Sequence, residues 1–569
     1  MHIETIVTNA QVYNTYTKQF REVDFAIDGG RFVAIGSKDE LKNLTAKTII
    51  DANNKSIIPG LIDIHLHIES SMVTPETFSY ALLQNGVTTI VPEPHEMANV
   101  FGIEGVRAMI QASDYCTVDM LYAIPSSVPA TSLETTGGEI GIKEMDELMA
   151  TEQIQCLGEI MNFVDVIHDP DSKTNQVLNH FREHYPTLPI EGHVPKLTGL
   201  DLDQILLSGI GSDHTHQTVD GLRARIEAGM FVQIQEKSMT DDVLDYVMTH
   251  DVSEHFCFVT DDIMTDVLFE KGHLNILAEK AVKAGMRYED VIYACTATPA
   301  KRMNMIDRGA IAVGKIADFC IVNENNHFSF SAVYKNGVCV FDALLKEKQQ
   351  VRPDQFPAHF YKSVHLPLLT AEDFIIKTEN TPEEKKVRVM NVRDGSTFTK
   401  ETHVSLSVQD GILEWEKSDC RLIATFERHK KTGNRAHGLI TGDIIREGAI
   451  ATTYSHDNHN LLVIGTNVAD MVKAANTVIE AQGGFCVTHN NDVKAFLPLP
   501  VGGILSEAPL DKVGQDVKEL VESMRALGYK HYNPIMSVST LSLPVSPALK
   551  ITDFGLIDVN KGKVVSLFV

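Results

Sequence analysis

Residues 59–71 read Pro59-Gly60-Leu61-Ile62-Asp63-Ile64-His65-Leu66-His67-Ile68-Glu69-Ser70-Ser71. A Pro-Gly turn signal is followed by a short apolar run, Leu61, Ile62, Ile64, Leu66 and Ile68, of strand length. Strand side chains alternate between faces, so His65 and His67 point the same way, two pleats apart. Two imidazoles on one face at the end of an apolar strand can grip a divalent metal ion. The tripeptide alone is a weak signal, because 23 histidines in 569 residues give about one His-x-His by chance. Its setting is stronger: imidazoles on a buried strand need polar partners, and a metal supplies them.

Downstream of this stretch the chain alternates between short apolar runs and helical periodicity. Runs at 87–91, 121–124, 156–160, 188–192, 211–214, 231–234 and 256–259 follow the first, with periodic segments such as 103–110 and 219–228 among them. Counted from Leu61 there are eight strand candidates over about 250 residues, the size of a (β/α)₈ TIM-like barrel. This α/β unit is expected to span 59–308. Upstream, 3–7, 23–27 and 32–35 are short strand candidates separated by turns such as Asp28-Gly-Gly30. They are too little chain for a core of their own. Further short strands at 309–314, 317–322 and 333–338 are their expected partners, giving a domain built from 1–58 plus 309–345. A charged, proline-containing connection from Lys346 to Pro357 opens a C-terminal α+β domain, 346–569. Its expected helices are 470–481 and 511–526, and its expected strands lie at 461–464 and 484–487.

Composition narrows the function. Hydrophobic content of 43% with 22% charged residues suits a soluble globular enzyme. A net charge of −26 argues against nucleic-acid and anionic-membrane partners, whose footprint is basic. The eight cysteines are scattered without Cys-x-x-Cys spacing. The first residues lack a signal-peptide pattern, and no apolar stretch reaches the ~20 residues that span a bilayer. The expectation is a reducing, cytoplasmic compartment.

In a parallel barrel the active site lies at the C-terminal ends of the strands. Metal-type residues fall there: His65 and His67, then Glu93-Pro-His95-Glu96, Glu159, His193, His214 with His216 behind it, and Asp261-Asp262. A lone strand-end histidine is more often an ordinary surface or hydrogen-bonded residue. A series at the same end of consecutive strands is hard to obtain that way. Imidazole and carboxylate donors without thiolate suit Zn, Mn or Fe and do not separate them. Four imidazoles and two carboxylates exceed what one tetrahedral ion uses, so two divalent metal ions bridged by Glu159 are expected. Such a pair activates water for metal-assisted hydrolysis, with Asp261 placed both to ligate and to accept a proton.

This pattern resembles the amidohydrolase superfamily and, within it, the adenine deaminases. The broader resemblance rests on Pro59-Gly-Leu-Ile-Asp-Ile-His-Leu-His67, the later His, His and Asp, and Gly314-Lys-Ile-Ala-Asp-Phe319 in the flanking strands, which look like that superfamily's small β-sandwich. The narrower one rests on His67-Ile-Glu-Ser-Ser71, Pro94-His-Glu-Met-Ala-Asn-Val100, Gly158-Glu-Ile-Met-Asn-Phe163, Ser212-Asp-His214, Thr260-Asp-Asp262, Glu270-Lys-Gly-His273, Ser455-His-Asp-Asn-His-Asn460, Gln482-Gly-Gly-Phe485 and Leu497-Pro-Leu-Pro500. It covers essentially the whole chain. The resemblance implies metal ligation by His65, His67, His193, His214 and Asp261, with Glu159 bridging. It implies attack of metal-bound hydroxide on C6 of adenine, giving hypoxanthine and ammonia. Proton transfer would fall to Asp261, Glu96, His95 or Glu236. Contacts to the purine would come from Asp262, Ser238, Glu69 and the C-terminal His456, Asp457 and His459. A homo-oligomer, a dimer, is expected by analogy. Glu93, Lys196, Lys237, Ile263 and Met264 depart from the family's usual residues, which keeps open a paralogue acting on another aminopurine or a cyclic amide.

Overall fold

The computed structural model describes residues 2–323, 326–345, 349–378 and 383–569. The start of the expected connection, Lys346, lies outside them. Eight short strands follow one another from Leu61–Leu66 onward: Val87–Pro92, Asp119–Met120 continuing into Tyr122–Ile124, Ile154–Ile160, Ile190–Gly192, Ser212–Asp213, Phe231–Ile234 and Phe256–Phe258. Neighbours pair in parallel within three sets, 61–120, 122–192 and 212–258. Backbone hydrogen bonds carry the order across the joins: Leu121 N donates to Ile90 O at 2.9 Å, and Gly211 N to Ile190 O at 3.0 Å. The succession returns to its start where Asp261 N donates to His65 O at 3.1 Å. Helices such as Ile103–Ser113, Val219–Glu227 and Tyr288–Arg302 lie between or after these strands. The strands read as near-continuous apolar runs because parallel sheets are covered on both faces, and Leu61–Leu66 is buried at every position.

Strands from the two flanks pair in one sheet. Strand Phe319–Asn323 pairs antiparallel with Ser56–Pro59, and one eight-stranded sheet joins His2–Asn14, Gln19–Asp28 and Arg31–Gly36 to Asn326–Lys335 and Val338–Asp342. Phe25, Phe32, Phe319 and Tyr334 form its aromatic core. Residues 309–314, read from the sequence as a strand, are turn and loop instead. Gly309 (φ 77°) and Gly314 (φ 88°) both lie in the left-handed region, which breaks extended pairing. The strand expected at 333–338 is split by the Asn336-Gly337 turn.

Beyond residue 383 a nine-stranded sheet runs through Glu384–Val392, Thr399–Gln409, Arg421–Phe426 and Leu461–Gly465 to Gly484–His489 and Asp492–Pro498. Helix Val468–Glu480 covers it, burying Met471, Ala474, Ala475 and Val478. Helix Leu510–Ala526 packs on the helix Thr265–Glu270, and Ser506 N donates to Met72 O at 2.8 Å. One buried apolar cluster therefore runs unbroken from Phe78 and Met97 to Ile504 and Leu510. Among the described residues no helix is long and apolar enough to cross a membrane.

One buried cation in this part has little to hold it. Lys550, fully buried, donates to Thr397 O at 2.7 Å, and burial pulls its ammonium down to about 7. A lysine depressed in the folded state makes stability rise with pH between about 7 and 10.5, where the unfolded chain holds the extra proton. Lys550→Met is therefore expected to stabilise the protein at pH 7 by about 2 kcal/mol, after the loss of one hydrogen bond. Melting temperatures of both proteins between pH 7 and 10 check this: the variant's advantage should shrink as pH rises, and a constant or growing advantage contradicts it.

Candidate functional site

The strand ends and the helix that follows the second strand bring five histidines and two carboxylates into one cluster, buried except at the part-exposed His193. His65 Nε2 and His67 Nε2 each lie 3.5 Å from Asp261 Oδ1. On the other side His193 Nδ1 is 2.9 Å and His214 Nε2 3.2 Å from Glu159 Oε2. Between the two halves, Glu159 Oε1 is 3.4 Å from His67 Nε2. The two oxygens of Glu159 thus face two different imidazole sets. The His65 and His214 rings stack at 3.8 Å, and His95 stands edge-on to His67 at 4.5 Å.

These spacings test whether the residues fit metal ions. Donors about 2.1 Å from a tetrahedral ion lie about 3.4 Å from one another, and the cluster's spacings fall around that value. His67 Nδ1 meets the carbonyl oxygen of Glu93 at 3.1 Å. A carbonyl only accepts, so a proton sits on Nδ1 and Nε2 is the nitrogen turned toward the carboxylates, as a ligand's must be. His65 Nε2 is buried with no hydrogen-bond partner. Sets of three donors close enough to share one ion include His65, His67 and Asp261, and also His65, Glu159 and His214. The residues fit.

The electrostatics follow from burial and proximity. Burial alone would raise the Glu159 and Asp261 carboxyls. His214 and His193 outweigh it at Glu159, and His65 and His67 at Asp261, so both are held well below the usual range. Burial likewise opposes charge on His214, but Glu159 and Asp261 bring it up to about 9. His95 is pulled down to about 4 by burial and the neighbouring His67, which keeps it neutral at pH 7.

Supporting groups fix this cluster. Asp63, on the first strand between the chain's turn and its histidines, accepts His65 N at 3.2 Å through one oxygen. Its other oxygen accepts Thr260 N at 3.1 Å and Thr260 Oγ1 at 2.7 Å, tying the first strand to the segment that carries Asp261. Asp261 itself sits at φ 57°, a left-handed conformation costing a non-glycine residue about 1–3 kcal/mol. Glu93 Oε2 accepts Glu159 N at 2.7 Å, and a Cβ on Gly158 would lie 2.2 Å from the Glu93 carboxyl carbon. Asp213, beside His214, is paired with Arg225 Nε and accepts Val194 N at 3.0 Å, next to His193. The sequence offered a signal for Asp63, a charged residue inside an apolar strand. For Arg225, 12 positions from its partner, it offered none.

The structure sorts the remaining candidates. Glu96 is buried, and its Oε1 lies 3.1 Å from His456 Nδ1; burial, with Glu69 adding to it, brings its carboxyl up to about 8. Glu69 is buried, pushed up to about 7 by burial, and accepts Met97 N at 3.3 Å. His456 and Asp457 come from the C-terminal loop and enter the cluster: His95 Nε2 is 3.8 Å from Asp457 Oδ1. His459 is buried there with both ring nitrogens unpartnered. Asp262 is exposed and accepts Ser70 Oγ. Ser238 Oγ accepts Gln217 N at 2.9 Å, which turns it toward the backbone. Glu236 does not join the cluster: the short turn Glu236–Ser238 points it outward, where it pairs with Lys280 at 3.5 Å. Ile263 and Met264 are buried in the apolar core, Lys196 lies over the Phe398 ring, and Lys237 Nζ is 4.0 Å from Asp261 Oδ2.

A residue the sequence did not single out holds the C-terminal loop. The buried Glu134 accepts Asn458 Nδ2 at 3.2 Å and Thr131 N at 3.1 Å, and burial lifts it to about 8. Asn460 Nδ2 donates to Thr135 O at 2.9 Å, and Tyr454 Oη to Ser70 O at 3.3 Å.

Comparison with known proteins gives the family. Residues 56–341 match the amidohydrolase family, and residues 396–563 match the adenine deaminase C-terminal domain. Adenine deaminase 2 of Shouchella clausii is 69% identical over 569 residues, covering 100% of this chain and 99% of that protein. An adenine deaminase of Clostridium perfringens is 49% identical, again over 100% of this chain and 99% of that protein. A solved adenine deaminase structure superposes with a TM-score of 0.44 at 16% identity, covering 60% of this chain and 100% of that one. The chain belongs to the amidohydrolase family, whose fold is a TIM-type barrel with extra domains, and within that family to the adenine deaminases.

Proposed function

We propose that this protein hydrolyses adenine to hypoxanthine and ammonia, using two divalent ions of Mn, Fe or Zn. The observation that carries the chemistry is Glu159, whose oxygens face His67 on one side and His193 with His214 on the other. The purine substrate is supported by the whole-chain likeness to proteins named adenine deaminases. His65, His67 and Asp261 would hold one ion, His193 and His214 the other, with Glu159 between them. When bound, the ions supply Lewis acidity and bring the pKa of water toward neutrality.

The chain's own groups manage the protons. Asp261, held as a carboxylate by His65 and His67, takes the proton of the attacking water. Water adds at C6, Asp261 passes the proton it took to the exocyclic nitrogen, the bond from C6 to that nitrogen breaks, and ammonia leaves. The proton of the new C6 hydroxyl returns to the acid that protonated the ring. Glu96, raised to about 8 and therefore largely protonated at pH 7, gives a proton to the purine ring from Oε2, the oxygen without a partner, while Oε1 accepts from Ser70 and faces His456, with His95 beside it. Glu69, His456, Asp457 and His459 close the pocket from the barrel and the C-terminal loop, and Asp262 completes its rim. In architecture we propose a closed (β/α)₈ barrel over 59–308, a small β-sandwich from 1–58 plus 309–345, and an α+β domain over 346–569. We place the enzyme in the cytoplasm as a homodimer, a reading that eight unbridged cysteines and base rates support.

His65→Ala tests the assignment. Ammonia release from adenine should be abolished, and a variant with full activity would sink it. A paralogous activity is favoured only by Lys237, which approaches Asp261. A panel of aminopurines and cyclic amides separates the readings: adenine should give the highest kcat/KM, and a clear preference for another member transfers the assignment to it.

A further inference from the structure

Next to the proposed ion pair lies a second donor set that the reaction above does not use for metal. His95, at the start of helix His95–Phe101, meets His456 and Asp457 from the C-terminal loop, and all three are buried. Asp457 Oδ1 is 3.5 Å from His456 Nδ1 and 3.8 Å from His95 Nε2, and one donor atom of each residue lies within 4.8 Å of the others. These spacings approach the ~3.4 Å between donors that share a tetrahedral ion.

Two further observations point to a ligand. Asp457 Oδ2 is buried with no hydrogen-bond partner, an expensive state for a carboxylate. Among the described residues, the only basic groups within 4 Å of the Asp457 carboxylate are the imidazoles of His95 and His456; no lysine or arginine offsets it. The loop is also held in place without an ion. His456 N donates to Ser539 O at 3.0 Å, Ser542 Oγ donates to His456 O at 2.9 Å, and Asn458 is fixed by Glu134. Preorganised donors lose little entropy on binding.

We propose that His95, His456 and Asp457 form a third divalent-cation site, separate from the proposed pair at Glu159. Two imidazoles and carboxylate oxygens suit Zn, Mn or Fe and disfavour Ca and Mg, which take oxygen donors. The site has one wall from the barrel and one from the C-terminal domain, so its ion would fasten that loop over the pocket.

The test is metal counting on the full-length protein, stripped with a chelator and dialysed against Mn(II) or Zn(II), with melting temperature as a second readout. Wild type should hold three ions per chain and Asp457→Asn two, with a smaller metal-induced rise in melting temperature. Glu159→Gln should instead disturb the pair and keep the third ion. Wild type saturating at two ions, or Asp457→Asn still holding three, overturns the proposal. If Asp457→Asn does not fold, His456→Gln decides by the same count. Retention of the full pair by Glu159→Gln would count against the two-ion reading and leave the third site standing.

Discussion

Glu159→Gln is expected to lower ammonia release from adenine by at least about 10³-fold while leaving the fold intact. The amide is nearly isosteric, but it offers one acceptor where the carboxylate offers two, and its NH₂ would face imidazole nitrogens. Glu159 is the group on which both halves of the cluster converge, at 2.9 and 3.2 Å through one oxygen and 3.4 Å through the other. Its backbone is fixed by Glu93, so the side chain cannot retreat to form a substitute contact. Steady-state ammonia assays with a melting curve check the result. A variant within tenfold of wild type, and equally stable, would mean that Glu159 does not unite the site.

The second large effect is on stability. Arg225→Met is expected to cost about 3–5 kcal/mol, because it leaves Asp213 as a buried charge without a counter-ion. Both residues are almost wholly buried, and Arg225 also donates to Val194 O. Asp213 in turn orders the backbone on either side of the site, through Val194 N beside His193 and Thr215 N beside His214, each at 3.0 Å. The loss should therefore appear twice, as a lower melting temperature and as weaker metal retention. A drop in stability with metal content unchanged would confine Arg225 to the fold.

What could be read from the sequence, and what could not, divides by range. The strands and the His65–His67 pair were legible because alternation and apolar runs are local properties of a chain covered on both faces. Helix Val468–Glu480 and helix Leu510–Ala526 were legible for the same reason, the first differing from the expected span by two residues at its start and one at its end, the second by one at its start. The groups that steady the site were not. Asp63 and Thr260 are 197 positions apart, and Glu134 and Asn458 are 324. Nothing local in the chain encodes such a pairing. Glu236 misled for the opposite reason: it follows a strand directly, but the turn Glu236–Ser238 rotates it to the surface. His456 and Asp457 stood out as a polar run; that they meet His95 and Glu96 became visible only in three dimensions.

The departures from the family's usual residues also resolve by position. Glu93 steadies the Glu159 backbone, Ile263 and Met264 fill the core, and Lys196 lies against Phe398. Of the five, Lys237 is the one whose charged end reaches a proposed ligand.

The measurement that bears most directly on the central claim is ammonia release from adenine by protein stripped of metal and refilled with Mn, followed alongside its metal content. The account predicts no turnover from the stripped protein, and turnover that appears as the Glu159-bridged pair fills. Full metal occupancy with no ammonia from adenine would contradict it.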